Sequence, residues 1–183
     1  VEYDLRRGVI SAALAVGADM GRAQALKANA ALCLAGVRPY GAGLVLTPPR
    51  AAALAAQSDP PGSAPIRPYV NARDLAERSR GVMAIDLCGW DEAEVRRRHP
   101  AVWRRLCETA KPARGLGARR FADPRRALEE ALRGLDRYIV TAETARRRWF
   151  RFLDAAVLPD SRLVVVASAD PFVLGVLSSQ AHW

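Results

Sequence analysis

Histidine is nearly absent from this chain, with His99 and His182 the only two among 183 residues. Cysteine is little more frequent: Cys33, Cys88 and Cys107 lie far apart, odd in number and without a CxxC pair. Those two scarcities leave no closely spaced ligand set for a structural zinc ion, so no metal site is expected. They fit reduced thiols in a cytoplasmic protein, with Cys33 and Cys88 expected in the core. No run reaches the roughly 18 apolar residues of a spanning helix, so no membrane partner is expected. No secretory signal is visible. Lysine is the third scarcity, because Lys27 and Lys111 are the only lysines among 28 basic residues.

Catalytic signatures are missing as well. No strand is followed by a GxGxxG or P-loop pattern, and Gly41-Ala42-Gly43 and Gly115-Leu116-Gly117 read as a turn and a hinge. A serine-hydrolase elbow, an HExxH helix and a clustered carboxylate pair are all absent. Asp91, Glu92 and Glu94 fall where a helix dipole favours acids, which makes them capping residues. His99 precedes Pro100 at a helix break and reads as a surface residue. The chain thus carries no catalytic residue and no cofactor loop of its own.

What the chain does have is arginine, unevenly placed. The net charge is +9, and nucleic acid is the commonest partner for such a balance. Arg96 to Arg151 holds 17 Lys+Arg against 6 Asp+Glu, a local +11, so the remaining residues sum to −2. GC-rich coding explains arginine in place of lysine; it does not explain that segregation.

Half of the residues are hydrophobic, enough for a core. Residues 1–50 look strand-rich, with Val9–Val16 apolar and Gly43–Thr47 a buried strand. Thr47 ahead of Pro48 starts a helix to about Gln57. Ser58–Pro65 is a Pro- and Gly-rich loop suited to a mobile connection, and Ile66–Arg80 places polar groups between strand-like pieces. Gly81–Leu87 is a central strand ending at Gly89. Asp91 with Glu94 makes a capping-box variant for a helix over 91–99, and Pro100 opens another over 101–110. Lys111–Ala122 is a basic loop, and Asp123-Pro124 starts a helix to about Gly134. A strand over 137–141, an ambiguous basic piece over 142–153, a strand over 162–168 and a terminal helix from about Asp170 follow. Short strands and helices without βαβ alternation indicate one α+β domain over 1–183. The last helical pattern still runs at Trp183 and the chain opens on Val1, so a module of a larger protein is expected.

Arg146, Arg147 and Arg148 beside Trp149 suit a phosphate backbone or a stacked base; the other reading is a solvated basic face with Trp149 and Phe150 in the core. Just before them, Thr141, Glu143 and Thr144 offer donors and acceptors suited to base edges. A glutamate can accept from a cytosine amino group, although Glu143 could equally pair with Arg146 or Arg147. Arg119 and Arg120 in the basic loop, and Arg67, Asn71 and Arg73 earlier, are further phosphate candidates.

Several blocks together resemble a known family. They are LKANAALCLAGVRPYGAGLVLTP, IRPYVNARDL, GVMAIDLCG, EVRRRHPAVWRRL, RYIVTAETARRRWFRFLDAAVLPD and LGVLSSQAHW, in order along nearly the whole chain. They look like the distal part of large single-chain restriction-modification enzymes with a class I adenine methyltransferase core. In that family the region is the target recognition domain. The resemblance implies double-stranded DNA as partner and an upstream methyltransferase domain in the same polypeptide. That domain would bind S-adenosylmethionine and flip the target adenine out of the duplex. By position, Thr141 to Arg148 match the family's recognition loop. The sequence departs from the pattern between Lys111 and Leu135, where Phe121 alone stands in place of an aromatic stretch. The alternative is a stand-alone basic nucleic-acid-binding adaptor without enzymatic activity.

Overall fold

A computed structural model describes residues 29, 32–39, 42–109, 123–145 and 149–179, the side chains of 42 and 123–125 excepted. The apolar stretch Val9–Val16 and the loop Lys111–Ala122 lie outside the described residues. The chain divides into two units, Val1–Ala30 and Ala31–Trp183, and the second holds every strand and α-helix named here.

In chain order these are β1 (Cys33–Ala35), β2 (Val45–Leu46), α1 (Pro48–Ala56), β3 (Ile66–Val70), α2 (Ala72–Ala76), β4 (Met83–Ile85) and α3 (Glu92–Arg98). Then come α4 (Pro100–Thr109), α5 (Asp123–Leu132), β5 (Arg137–Ala142), β6 (Arg151–Asp154), β7 (Leu158–Pro159), β8 (Leu163–Val166) and α6 (Pro171–Leu177). Two four-stranded sheets result, ordered β1-β8-β5-β6 and β2-β4-β3-β7, which is the expected α+β class. The first is antiparallel throughout; in the second, β3 and β7 run parallel. The GVMAIDL strand is internal, between β2 and β3.

β5 is the spine of the first sheet. Tyr138, Val140 and Ala142 alternate onto one face and pack with Leu75, Leu128, Leu163 and Val165. The Tyr138 hydroxyl, carried into the interior, donates to the carbonyl of Val157 at 2.8 Å. A second core gathers Leu46, Ala51, Ile85, Val95, Val102 and Leu106 under α1, α3 and α4.

Helix ends follow local chemistry in most places. Pro48 opens α1 after Thr47, and the Asp91 carboxylate accepts from the Ala93 amide at 3.0 Å. Glu94 does not close the expected capping box, because its carboxylate takes Arg98 at 2.8 Å one turn on. The complete capping box lies at α2, where no helix was expected: Asn71 accepts from the Arg73 and Asp74 amides, and Asp74 accepts from Asn71. Asp170 caps α6, but the helix stops at Leu177 instead of running on. There the Val176 carbonyl accepts from both the hydroxyl and the amide of Ser179, at 2.7 and 3.1 Å.

Three residues depart from their expected burial. Cys33 points outward from the edge strand β1, because the alternation of a short strand leaves only Leu34 turned in. Cys88 is half-buried in the turn after β4, its thiol directed at Glu129 at 3.0 Å. His99 is not a surface residue: its exposure is 0%. The break between α3 and α4 turns its ring inward, edge-on to Trp90 at 4.9 Å between centroids. Neither ring nitrogen has a partner among the described residues. Burial first, and then neighbouring Arg98, hold its proton affinity below the ordinary value, with Glu94 and Asp59 opposing.

One close approach fixes the junction of β1 with the β7–β8 connection. A Cβ at Gly36 would stand 2.1 Å from the carbonyl oxygen of Asp160. Gly36→Ala is therefore expected to cost about 2 kcal/mol in chemical denaturation, as overpacking does; an unchanged midpoint would refute the close approach. His99→Leu removes two buried polar atoms without a partner among the described residues, so at neutral pH it should match or exceed the wild type. The unfolded imidazole takes up a proton below about 6.5 while the folded one resists, so wild-type stability falls as pH drops through that value. Melting curves between about pH 7 and 5 should show a shallower fall for His99→Leu, and parallel falls would exclude His99 as the cause.

Candidate nucleic-acid interface

The C-terminal end of β5 is where the sequence-selected residues and the fold coincide. Thr141 lies inside β5 opposite Val164, 5% exposed, and its hydroxyl has no hydrogen-bond partner among the described residues. It supports the strand from within and does not present its hydroxyl to solvent. The chain then leaves the sheet, and Glu143 and Thr144 form an exposed turn. Glu143 makes no ion pair among the described residues. Its amide donates to the carbonyl of Arg162 at 2.9 Å, which carries the β5–β8 ladder one step past the strands and pins the turn. Arg146, Arg147 and Arg148 lie outside the described residues, as do Arg119 and Arg120. Trp149 is half-buried against the core of β5, which favours its reading as a packing residue over a base-stacking one.

The earlier candidates divide. Asn71 is committed to capping α2, and Arg73 pairs with Glu77 at 3.0 Å on the exposed face of that helix. The chain enters α2 beside the Asp160 segment, since the Asp160 amide donates to Val70 at 2.8 Å. Its last turn meets β6, where Arg151 donates to the Leu75 carbonyl at 3.2 Å. Arg67 is placed elsewhere and is internally spent. Its guanidinium donates to Asp86 at 3.2 Å and to the carbonyls of Ala155 and Ala156 at 2.8 and 3.0 Å. It borders a cleft of about 220 Å³ whose other walls, Leu128, Leu132, Val157 and Pro159 among them, are mostly apolar.

Sequence reasoning passed over Arg38 and Arg162, which the fold brings to the same end of the sheet as Arg151, a member of the basic cluster that the sequence did single out. Arg38 follows Val37, which bridges to Asp160; Arg162 sits in the turn Asp160–Leu163; Arg151 opens β6 opposite Val140. The signal that could find Arg38 and Arg162 is cross-strand register, because they are more than a hundred positions apart and form no local cluster.

Nearby acids are mostly committed. Asp74, 4% exposed, accepts from the Arg80 guanidinium at 2.7 and 2.9 Å. That bond is the main cause holding its carboxyl below the usual range, and burial opposes it. Asp160 accepts from the Tyr69 hydroxyl and from the Arg162 amide. Burial, and then the Asp160 carboxylate, push the Tyr69 hydroxyl up, so it remains a donor. Arginine guanidiniums around a glutamate with no ion pair among the described residues, and a threonine hydroxyl, can contact phosphate oxygens and base edges. No group of His, Cys, Asp and Glu able to hold a metal ion occurs among the described residues, and no described helix is long and apolar enough to cross a membrane.

No protein-family model matches this chain, and no curated protein matches it. A solved structure does: the type IIL restriction-modification enzyme MmeI in complex with DNA, from work bearing on the engineering of new specificities. The TM-score is 0.60 at 18% identity, over 82% of this chain and 21% of that one. The present chain thus spans about a fifth of the length of MmeI, and the likeness is one of fold.

Proposed function

We infer that this chain is a sequence-specific duplex DNA recognition module, the target recognition domain of a DNA adenine-N6 methyltransferase of the single-chain restriction-modification type. The carrying observation is the Glu143–Thr144 turn: exposed, pinned through the Arg162 carbonyl, and free of ion pairs among the described residues. A buried strand holds it from behind, so its donors and acceptors are positioned in advance of binding. The fold likeness to an enzyme solved with DNA supports the same reading.

In this reading catalysis and S-adenosylmethionine binding belong to an upstream domain of the same polypeptide, and the whole works in the cytoplasm. The residues described here do not fit the cofactor. The glycines at positive φ, Gly62, Gly81, Gly89 and Gly134, stand singly in turns or connections, and none forms a glycine-rich strand-to-helix loop. The chain's own contribution is to read bases and to grip the flanking duplex.

Selection from a randomised duplex pool tests the proposal. The wild-type chain should enrich one motif, and Glu143→Gln should relax one base position by about 1–3 kcal/mol, roughly tenfold or more in discrimination. An identical motif from the variant would remove Glu143 as a reader. No motif at all, with equal binding to single-stranded RNA, would point to the adaptor without sequence preference.

A further inference from the structure

The turn that bears Glu143 is backed by a second feature that local sequence does not suggest. The segment Asp160–Leu163 closes on itself, with the Leu163 amide donating to the Asp160 carbonyl at 2.9 Å. The chain after β1 clasps both of its ends. Gly36 donates to the Leu163 carbonyl at 2.9 Å, Val37 donates to the Pro159 carbonyl at 2.7 Å, and Val37 bridges to Asp160. This clasp sets Arg38 directly beside the turn that carries Arg162. On its other side the Arg162 carbonyl holds the Glu143 amide at 2.9 Å. Arg162 therefore stands opposite Glu143, and Arg38 follows the residue that bridges to the first position of the Arg162 turn.

Arg38 and Arg162 are exposed, and neither has an ion-pair partner among the described residues. That sets them apart from the helical arginines Arg73, Arg96, Arg98 and Arg126, each tied to a glutamate four residues away. Asp160, which bridges to Val37 and lies two residues before Arg162, turns its carboxylate to Tyr69 and to the Arg162 amide. Two guanidiniums with no acidic partner among the described residues, on a rigid clasp beside a base-reading turn, are suited to an anionic polymer backbone, whose charges recur at short intervals.

We propose that Arg38 and Arg162 form a phosphate grip that holds the duplex backbone in register while the Glu143–Thr144 turn meets the base edges. The grip rests on the duplex-recognition reading given above and adds to it a site of different chemistry. It contributes affinity and salt dependence, whereas Glu143 contributes the choice of base.

The test is duplex binding by the whole 183-residue chain, followed by fluorescence anisotropy across a salt series. Each phosphate contact contributes about 0.9 to the slope of log K against log salt, so Arg38→Gln with Arg162→Gln should lower it by about 1.8. The motif enriched from a random pool should stay the same. The lysine pair, Arg38→Lys with Arg162→Lys, keeps the charge and should keep most of the slope. Arg97→Gln with Arg104→Gln, exposed positions on α3 and α4, removes equal charge and should leave the slope near wild type. A wild-type slope in the Arg38/Arg162 glutamine variant, or an equal fall in the Arg97/Arg104 variant, overturns the grip while leaving Glu143 as a reader. Duplex binding by the wild type that is absent, or indifferent to salt, overturns the grip and the recognition reading together.

Discussion

Asp160 joins the two sheets, and the candidate interface depends on that joint. Its amide donates to Val70 at the end of β3, its side chain takes the Tyr69 hydroxyl from the same strand, and its backbone bridges to Val37 beyond β1. Its other carboxylate oxygen holds the Arg162 amide at 2.9 Å, shaping the turn into β8. One residue thus bonds to β3 of one sheet and to the entry of β8 in the other. Hydrogen bonds to a charged group contribute more than neutral ones, about 1.5–3 kcal/mol each, and here they converge where little apolar area is available. Tyr69, Ala84 and Leu158 form the small core around it, with Val37 and Val45 packed against them.

The joint also explains why an exposed turn can be precise. Glu143 is one residue beyond β5, and five consecutive residues of that strand, from Tyr138 to Ala142, are buried. A turn anchored to such a strand through Arg162, and through Arg162 to Asp160, keeps little conformational freedom, which is what a precise contact requires. Thr141 has a part in this although its hydroxyl is enclosed. A β-branched residue with few rotamers stiffens the strand at the position two before Glu143.

The legible parts of the fold were those with local causes. Pro after Thr47, Asp91 and Asp170 ahead of their helices, and the apolar runs of β4, β5 and β8 each carry their signal within a few residues. The misread parts have distant causes. His99 is turned inside, edge-on to Trp90, at the break between α3 and α4, which a residue before a proline does not announce. Cys33 is left outside because β1 is an edge strand, a property of sheet order. α2 went unseen because five residues give too little periodicity, even though Asn71 and Asp74 stand at capping-box spacing. At the interface, Glu143 and Thr144 were legible as polar residues after a strand. Arg38 and Arg162 were not, since only register brings them together.

Charge segregation in the sequence pointed to a basic face, and the fold changes where that face should be sought. From Asp91 to Thr109 the chain has five arginines against four acids, a net of +1, and two of the acids pair with arginines one turn away. α5 likewise ties Arg126 to Glu130 at 3.1 Å. Arginine-rich helices can therefore contribute little field, because helical spacing delivers the counter-ion along with the cation. Strand ends and tight turns do not impose that spacing. A guanidinium there remains uncommitted unless a distant segment supplies an acid, and at this end of the sheet the distant segments supply Arg38, Arg151 and Arg162 while the nearby acids Asp74 and Asp160 are already bonded. The distribution that matters for binding an anionic backbone is that of uncommitted charge, and topology sets it more than composition does.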